Sequence, residues 1–156
     1  MSTELSLTGT LLAKAVKEHE LPLGEVRADA AGSPIYEVSP DQLRAVGCQL
    51  RDRLGLHYLS CLTTLEWPER WEMVYHLYDL ARKGNLILKA SIPKEQAVFP
   101  TVTDIWPAAN WYERECYDMF GVTFEGHPQL CRILLSDDWQ SFPLRKDHPM
   151  DLEGGY

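Results

Sequence analysis

The chain has little of what builds a redox centre, a membrane span or a nucleic-acid footprint. Its four cysteines, Cys48, Cys61, Cys116 and Cys131, never fall into C-x-x-C, and iron–sulfur clusters and structural zinc ordinarily declare themselves by such close pairs. Four reduced thiols in a cytosolic domain are the expectation. The five histidines are scattered, with no H-x-x-x-H or H-E-x-x-H. The glycines form neither G-x-G-x-x-G nor a Walker lysine loop, so no cofactor held by this chain itself is expected. Positive charge is scarce as well: 15 Lys and Arg stand against 23 Asp and Glu, a net charge of −8. Nucleic-acid binding needs a basic footprint to displace counterions, and polybasic docking on anionic lipid needs the same. No apolar run approaches the roughly twenty residues of a membrane span, so no direct membrane insertion is expected. The first twelve residues lack both a basic start with a long apolar run and an Arg-rich composition, which points to a prokaryotic cytoplasmic address.

What is present is the make-up of one globular domain: 156 residues, 45% apolar and 24% charged, enough to bury a core. Thr8–His19 spaces Leu11, Leu12, Ala15 and Val16 helically, with Thr8 or Thr10 as cap. Pro34–Val38 reads as a short strand. Ser39-Pro40-Asp41 is a strong helix start, and Leu43, Val46, Leu50 and Leu54 form the buried stripe before Gly55. Leu56–Trp67, Arg70–Arg82 and Leu86–Ile92 then read as three strands joined by short turns, an antiparallel meander. Pro93–Pro100 is a loop, Thr101–Trp106 a helical segment broken by Pro107, and Ala108–Phe120 a helix stopped by Gly121. The fold class is α+β, a two-layer arrangement of a mainly antiparallel meander sheet packed by helices, over residues 1–135. Residues 136–156 change character, with Pro143, Pro149, Gly154 and Gly155 and no apolar period. Such a segment builds no core of its own. Yet Trp139, Phe142, Leu144, Met150 and Leu152 give it anchors, either for its own domain or, the favoured reading, for a partner gripped by an extended tail.

The densest chemistry lies in the helix ending at Gly121. Glu113 and Glu115 suggest an acid–base pair at first sight. Residues two apart on a helix do not face each other, so this spacing cannot by itself converge two carboxylates on a substrate. Arg114 and Asp118, four apart, are placed to pair on one face. Gly126-His127-Pro128 is a tight turn, in which His127 lacks the companion ligand that metal binding needs. Arg132 is expected in a strand, its charge meeting Glu115 or Asp118. The tail segment Pro143-Leu144-Arg145-Lys146-Asp147 is charged and stiffened by proline, suited to an interface. A structural network is the favoured reading throughout; the rival is a free-standing hydrolase using Glu113, Glu115 and His127.

Trp111–Phe120 (WYERECYDMF), the run from Gly121 through Gly126-His127-Pro128 to Arg132-Ile133-Leu134, and Pro143–Asp147 together resemble the C subunit of NADH-quinone oxidoreductase, respiratory complex I. The likeness is dense from about Val102 to Asp147. It implies a peripheral-arm subunit on the cytoplasmic side of the cell inner membrane, with no catalytic, cofactor-binding or metal residue of its own. NADH, FMN, iron–sulfur clusters and quinone would belong to the parent complex. Implied partners are the large quinone-site (D) subunit and the cluster-bearing B and I subunits. Related domains occur in membrane-bound nickel–iron hydrogenases, coenzyme F420 dehydrogenases and the photosynthetic counterpart of complex I, and the motif does not separate these.

Overall fold

A computed structural model describes residues 5–24 and 27–149; Met150 to Tyr156, the end of the expected tail, lie outside the described residues. Helix α1 (Leu7–Glu18) starts earlier than the apolar spacing suggests. Its N-cap is Ser6, whose hydroxyl accepts the Gly9 N–H, rather than Thr8 or Thr10. Strands β1 (Arg27–Ala28) and β2 (Pro34–Val38) follow, then helix α2 (Pro40–Asp52), opened by Ser39 with Pro40 in its first turn. The Ser39 hydroxyl meets Gln42 Oε1 instead of a helix N–H. Gly55, at φ +77°, takes the left-handed backbone that its position after the helix required.

The meander is observed as β3 (Tyr58–Glu66), β4 (Arg70–Asp79) and β5 (Gly84–Pro93), antiparallel throughout. β4 stops at Asp79 rather than Arg82, because the Asp79 carboxylate accepts the N–H groups of Ala81 and Arg82 and draws the chain into a turn. β3 carries a bulge between Leu59 and Cys61. One extra residue resets the two-residue period, so Leu59 and Leu62 both face inward although three apart.

The full sheet has the order β1-β2-β5-β4-β3, with β2 parallel to β5. Trp71, Met73, Tyr75 and Leu77 of β4 alternate onto one face and meet Leu86, Leu88, Ala90 and Ile92 of β5. The stripe Leu43, Val46 and Leu50 of α2 closes that core. Gly47 sits where α2 approaches the Ile105 and Trp106 side chains; a Cβ there would lie 3.1 Å from Ile105.

The expected 93–100 loop holds a further strand, β6 (Val98–Pro100), which pairs in parallel with β7 (Thr123–Glu125). Between them, 101–106 makes a single turn, with Ile105 and Trp106 both donating to the Val102 carbonyl. Helix α3 (Ala109–Phe120) follows and packs over β3. β6 and β7 are what bring the two ends of this excursion together.

Candidate functional site

α3 delivers its charged side chains in three directions. Glu113 points into the protein and is fully buried. Its Oε1 accepts the Val102 N–H at 2.8 Å and its Oε2 the Thr101 hydroxyl at 2.6 Å. The same turn is held from α2 by Arg44, which donates to the Thr101 carbonyl and makes a two-pronged pair with Asp104. Burial pushes the Glu113 carboxyl up to about 7, offset only in part by the Thr101 hydroxyl and Val102 N–H. Glu115, two residues on, is exposed. The two carboxylates therefore diverge, and no acid–base pair forms.

His127 belongs to the Glu113 side. Both side chains are fully buried, with His127 Nε2 3.9 Å from Glu113 Oε2. The ring's Nδ1 accepts the Gln129 N–H at 3.0 Å. That leaves the proton on Nε2, which donates to the Asn110 carbonyl at 3.2 Å. Burial lowers the His127 pKa, with the Asn110 carbonyl opposing and Arg114 adding to the fall. A neutral imidazole with both nitrogens engaged is a turn staple. Gly126 supplies the left-handed residue of this turn, and Pro128 is exposed beside it. Burial also pushes the Cys116 thiol of the same helix up to about 12, so no thiolate nucleophile stands here.

The expected Arg114–Asp118 pair is not made. Both side chains turn instead to the chain that follows β7. Arg114 donates to the carbonyls of Cys131 and Arg132. Asp118 Oδ2 accepts the N–H groups of Ile133, Leu134 and Leu135 at 3.0, 2.8 and 2.9 Å, and Oδ1 meets Arg132 Nη1 at 2.6 Å. Burial alone would raise the Asp118 pKa. The Leu135 N–H, the Arg132 guanidinium and the N–H groups of Leu134 and Ile133 outweigh it and hold the carboxyl at about 2. Arg132, in irregular chain rather than the expected strand, passes the restraint on through Nη2 to the carbonyls of Trp139 and Ser141. Its charge does meet Asp118, as expected; the stretch 131–135 satisfies its backbone through side chains instead of a ladder.

The tail continues this pattern. The sequence suggests an extended arm leaning toward a partner, but the described residues from Ser136 to Pro149 run back across their own domain. Leu144 N–H reaches the Met119 carbonyl, and Arg145 Nε the Phe120 carbonyl. Arg145 lies over the rings of Trp71 and Phe142. Phe142 in turn covers Gly121, at φ +72°, so closely that a Cβ there would stand 2.6 Å from its ring. Lys146 N–H donates to Glu66 Oε2 at 2.7 Å, while Lys94 holds the other oxygen. Pro143 is half-buried, and Asp147 is exposed.

Glu66, Phe142 and Thr101 are parts of this site that motif reading overlooks. Glu66 carries a signal all the same: an acid in the same inward register as Leu62 and Thr64 requires a partner.

Residues 36–153 match the family described as the respiratory-chain NADH dehydrogenase 30 Kd subunit. The NADH-quinone oxidoreductase C subunit of Moorella thermoacetica is 41% identical over 133 residues, covering 84% of this chain and 89% of that one. The fused C/D protein of the same enzyme from Nitrosospira multiformis is 54% identical over 80 residues, 51% of this chain and 13% of that much longer one. Among solved structures, the trypsin-resistant fragment of Nqo5 superposes with a TM-score of 0.65 at 27% identity, over 78% of this chain and 97% of that one. A chain of the membrane-bound sulfane sulfur reductase, an archaeal respiratory membrane complex, gives 0.75 at 30% identity, over 90% and 85%.

Proposed function

The chain belongs to the family of the respiratory-chain NADH dehydrogenase 30 Kd subunit, and from that premise we propose that it works as an assembly subunit in the peripheral arm of a proton-translocating NADH:quinone oxidoreductase, with no active site of its own. One observation carries the reading. The charged residues that look catalytic in sequence, Glu113, Arg114, Asp118 and Arg132, are occupied inside the chain, chiefly by backbone groups of the 101–102 and 131–141 segments. They shape a surface and leave no pair of groups converging on a substrate.

NADH, FMN, the iron–sulfur clusters and quinone belong, on this reading, to other members of the complex. The large quinone-site (D) subunit is the first partner. Relatives named as C/D fusions carry both parts in one polypeptide, which keeps the two side by side. The B and I subunits complete the neighbourhood. Among the described residues no helix is long and apolar enough to cross a membrane, so attachment to the cytoplasmic face of the inner membrane runs through the complex. The likeness to the sulfane sulfur reductase chain favours a second reading, the equivalent component of a related respiratory membrane complex.

Affinity capture of the tagged chain from a mild detergent extract tests both. Recovery with the quinone-site subunit and NADH:quinone activity supports the first. Recovery with hydrogenase-like or sulfur-reducing components supports the second. Turnover of a substrate by the purified chain alone would overturn both.

A further inference from the structure

Three exposed apolar side chains gather around one shallow cavity at the β3 side of the sheet. Leu65 and Trp67, at the end of β3 and in its hairpin, are 39% and 41% exposed, and Leu144 in the tail is 56% exposed. With Glu66, Phe120 and Lys146 they line a cavity of about 310 Å³. Its walls are already fixed by hydrogen bonds: Leu144 N–H to the Met119 carbonyl at 3.1 Å, and Lys146 N–H to Glu66 at 2.7 Å. Glu66 is neutralised by Lys94. The Lys146 ammonium makes no hydrogen bond or ion pair among the described residues. A pre-formed apolar hollow with a cation on its rim is the arrangement that takes an anchor side chain from a partner, because little must be ordered on docking.

We propose that this cavity seats an apolar anchor of the quinone-site subunit, with a neighbouring carboxylate of that partner meeting Lys146; the proposal rests on the complex I reading above. The occupant follows from the fused relatives and the path of the chain. A polypeptide carrying both parts must leave the portion related to this chain from one of its ends. α1, at the amino-terminal end, packs on β2 and β5, and β4 separates those strands from β3. The carboxyl-terminal end of the described chain leaves the domain just beyond Lys146. A partner joined there is delivered to the cavity at the high effective concentration of a short tether.

The test is co-expression of the full, tagged chain with the quinone-site subunit, followed by affinity capture. Leu65→Glu/Leu144→Glu places two charges in the hollow and is expected to lower capture of that partner at least tenfold. The exposed positions leave the thermal midpoint of the free chain in place. Leu80→Glu, on an exposed residue of the distant β4–β5 turn, is expected to capture the partner as the wild type does. Equal capture by the double variant and the wild type would overturn the site while leaving the partner reading intact. Failure of the wild type to capture the quinone-site subunit would overturn both. If the double variant instead broke a dimer of this chain, measured by sedimentation, and still held the partner, the occupant would be a second copy and the proposal would fall.

Discussion

Replacing Asp118 by Asn removes one charge and almost no volume, and it strikes the most heavily used acceptor in the molecule. One oxygen takes three successive N–H groups and the other a guanidinium. An amide cannot serve both sides. Whichever way it turns, its NH2 faces either Arg132 or three N–H donors. The linkage argument gives a lower bound. The carboxyl is held at about 2 against an ordinary 3.8, and at 1.36 kcal/mol per unit that is about 2 kcal/mol favouring the ionised folded state. Leaving buried donors and Arg132 without an acceptor brings the expected loss to about 3–5 kcal/mol at pH 7. The assay is urea unfolding of the purified chain across pH. Because the folded pKa is depressed, this contribution is complete above about pH 4 and disappears as pH falls through 3.8 toward 2. The wild type is therefore expected to lose about 2 kcal/mol from this group over that window, and Asp118→Asn to lack that component. A variant within about 1 kcal/mol of wild type at pH 7, with the acid limb unchanged, would refute the claim that Asp118 organises the 131–135 segment.

Glu113→Gln tests the opposite sign. Its folded pKa is raised to about 7 from 4.5, so ionisation opposes folding, and the wild type is expected to lose about 3 kcal/mol between pH 4.5 and 7 through this group. Gln keeps an acceptor for the Val102 N–H and a donor for Thr101, and its thermal midpoint should be flatter across that window; an unchanged slope would sink the assignment. Gly121→Ala forces a left-handed non-glycine residue and a Cβ 2.6 Å from the Phe142 ring. It should cost about 1 kcal/mol from the backbone alone and speed hydrogen exchange at the Leu144 N–H; slow exchange as in the wild type would contradict it. Arg114→Ala frees the Cys131 and Arg132 carbonyls and is expected to reduce the amount of assembled complex on native gels. Fully assembled complex with slowed turnover would argue for a chemical role instead.

The meander is readable because alternation and short turns are local: Trp71, Met73, Tyr75 and Leu77 announce one face of β4, and the hairpins permit only antiparallel neighbours. β6 and β7 are not readable. Each is three residues long, and their partners lie about 25 positions apart, beyond any periodicity. The parallel pairing of β2 with β5 is hidden for the same reason. At the site, the divergence of Glu113 and Glu115 follows from helix geometry alone. The Arg114–Asp118 spacing misleads, because an i, i+4 pair is worth only about 0.2–0.5 kcal/mol. Buried backbone donors without partners are worth more, and the 131–135 segment offers both side chains such groups. The path of the tail is hidden too: Phe142 and Arg145 read equally well as anchors for a partner until Gly121, Trp71 and Glu66 are seen beneath them.

The clasp grips almost entirely through main-chain atoms. Asp118, Arg114, Arg132 and Glu66 read N–H and C=O groups of residues 131–146 and are largely indifferent to the side chains those residues carry. Shape and identity are thereby uncoupled along this stretch. Outward positions such as Leu134, Trp139 and Leu144 are open to drift with whatever neighbour an assembly presents, while the path of the chain stays the same. Such a domain behaves like an interchangeable socket, and one fold can accompany respiratory machines of differing chemistry without being redesigned from within.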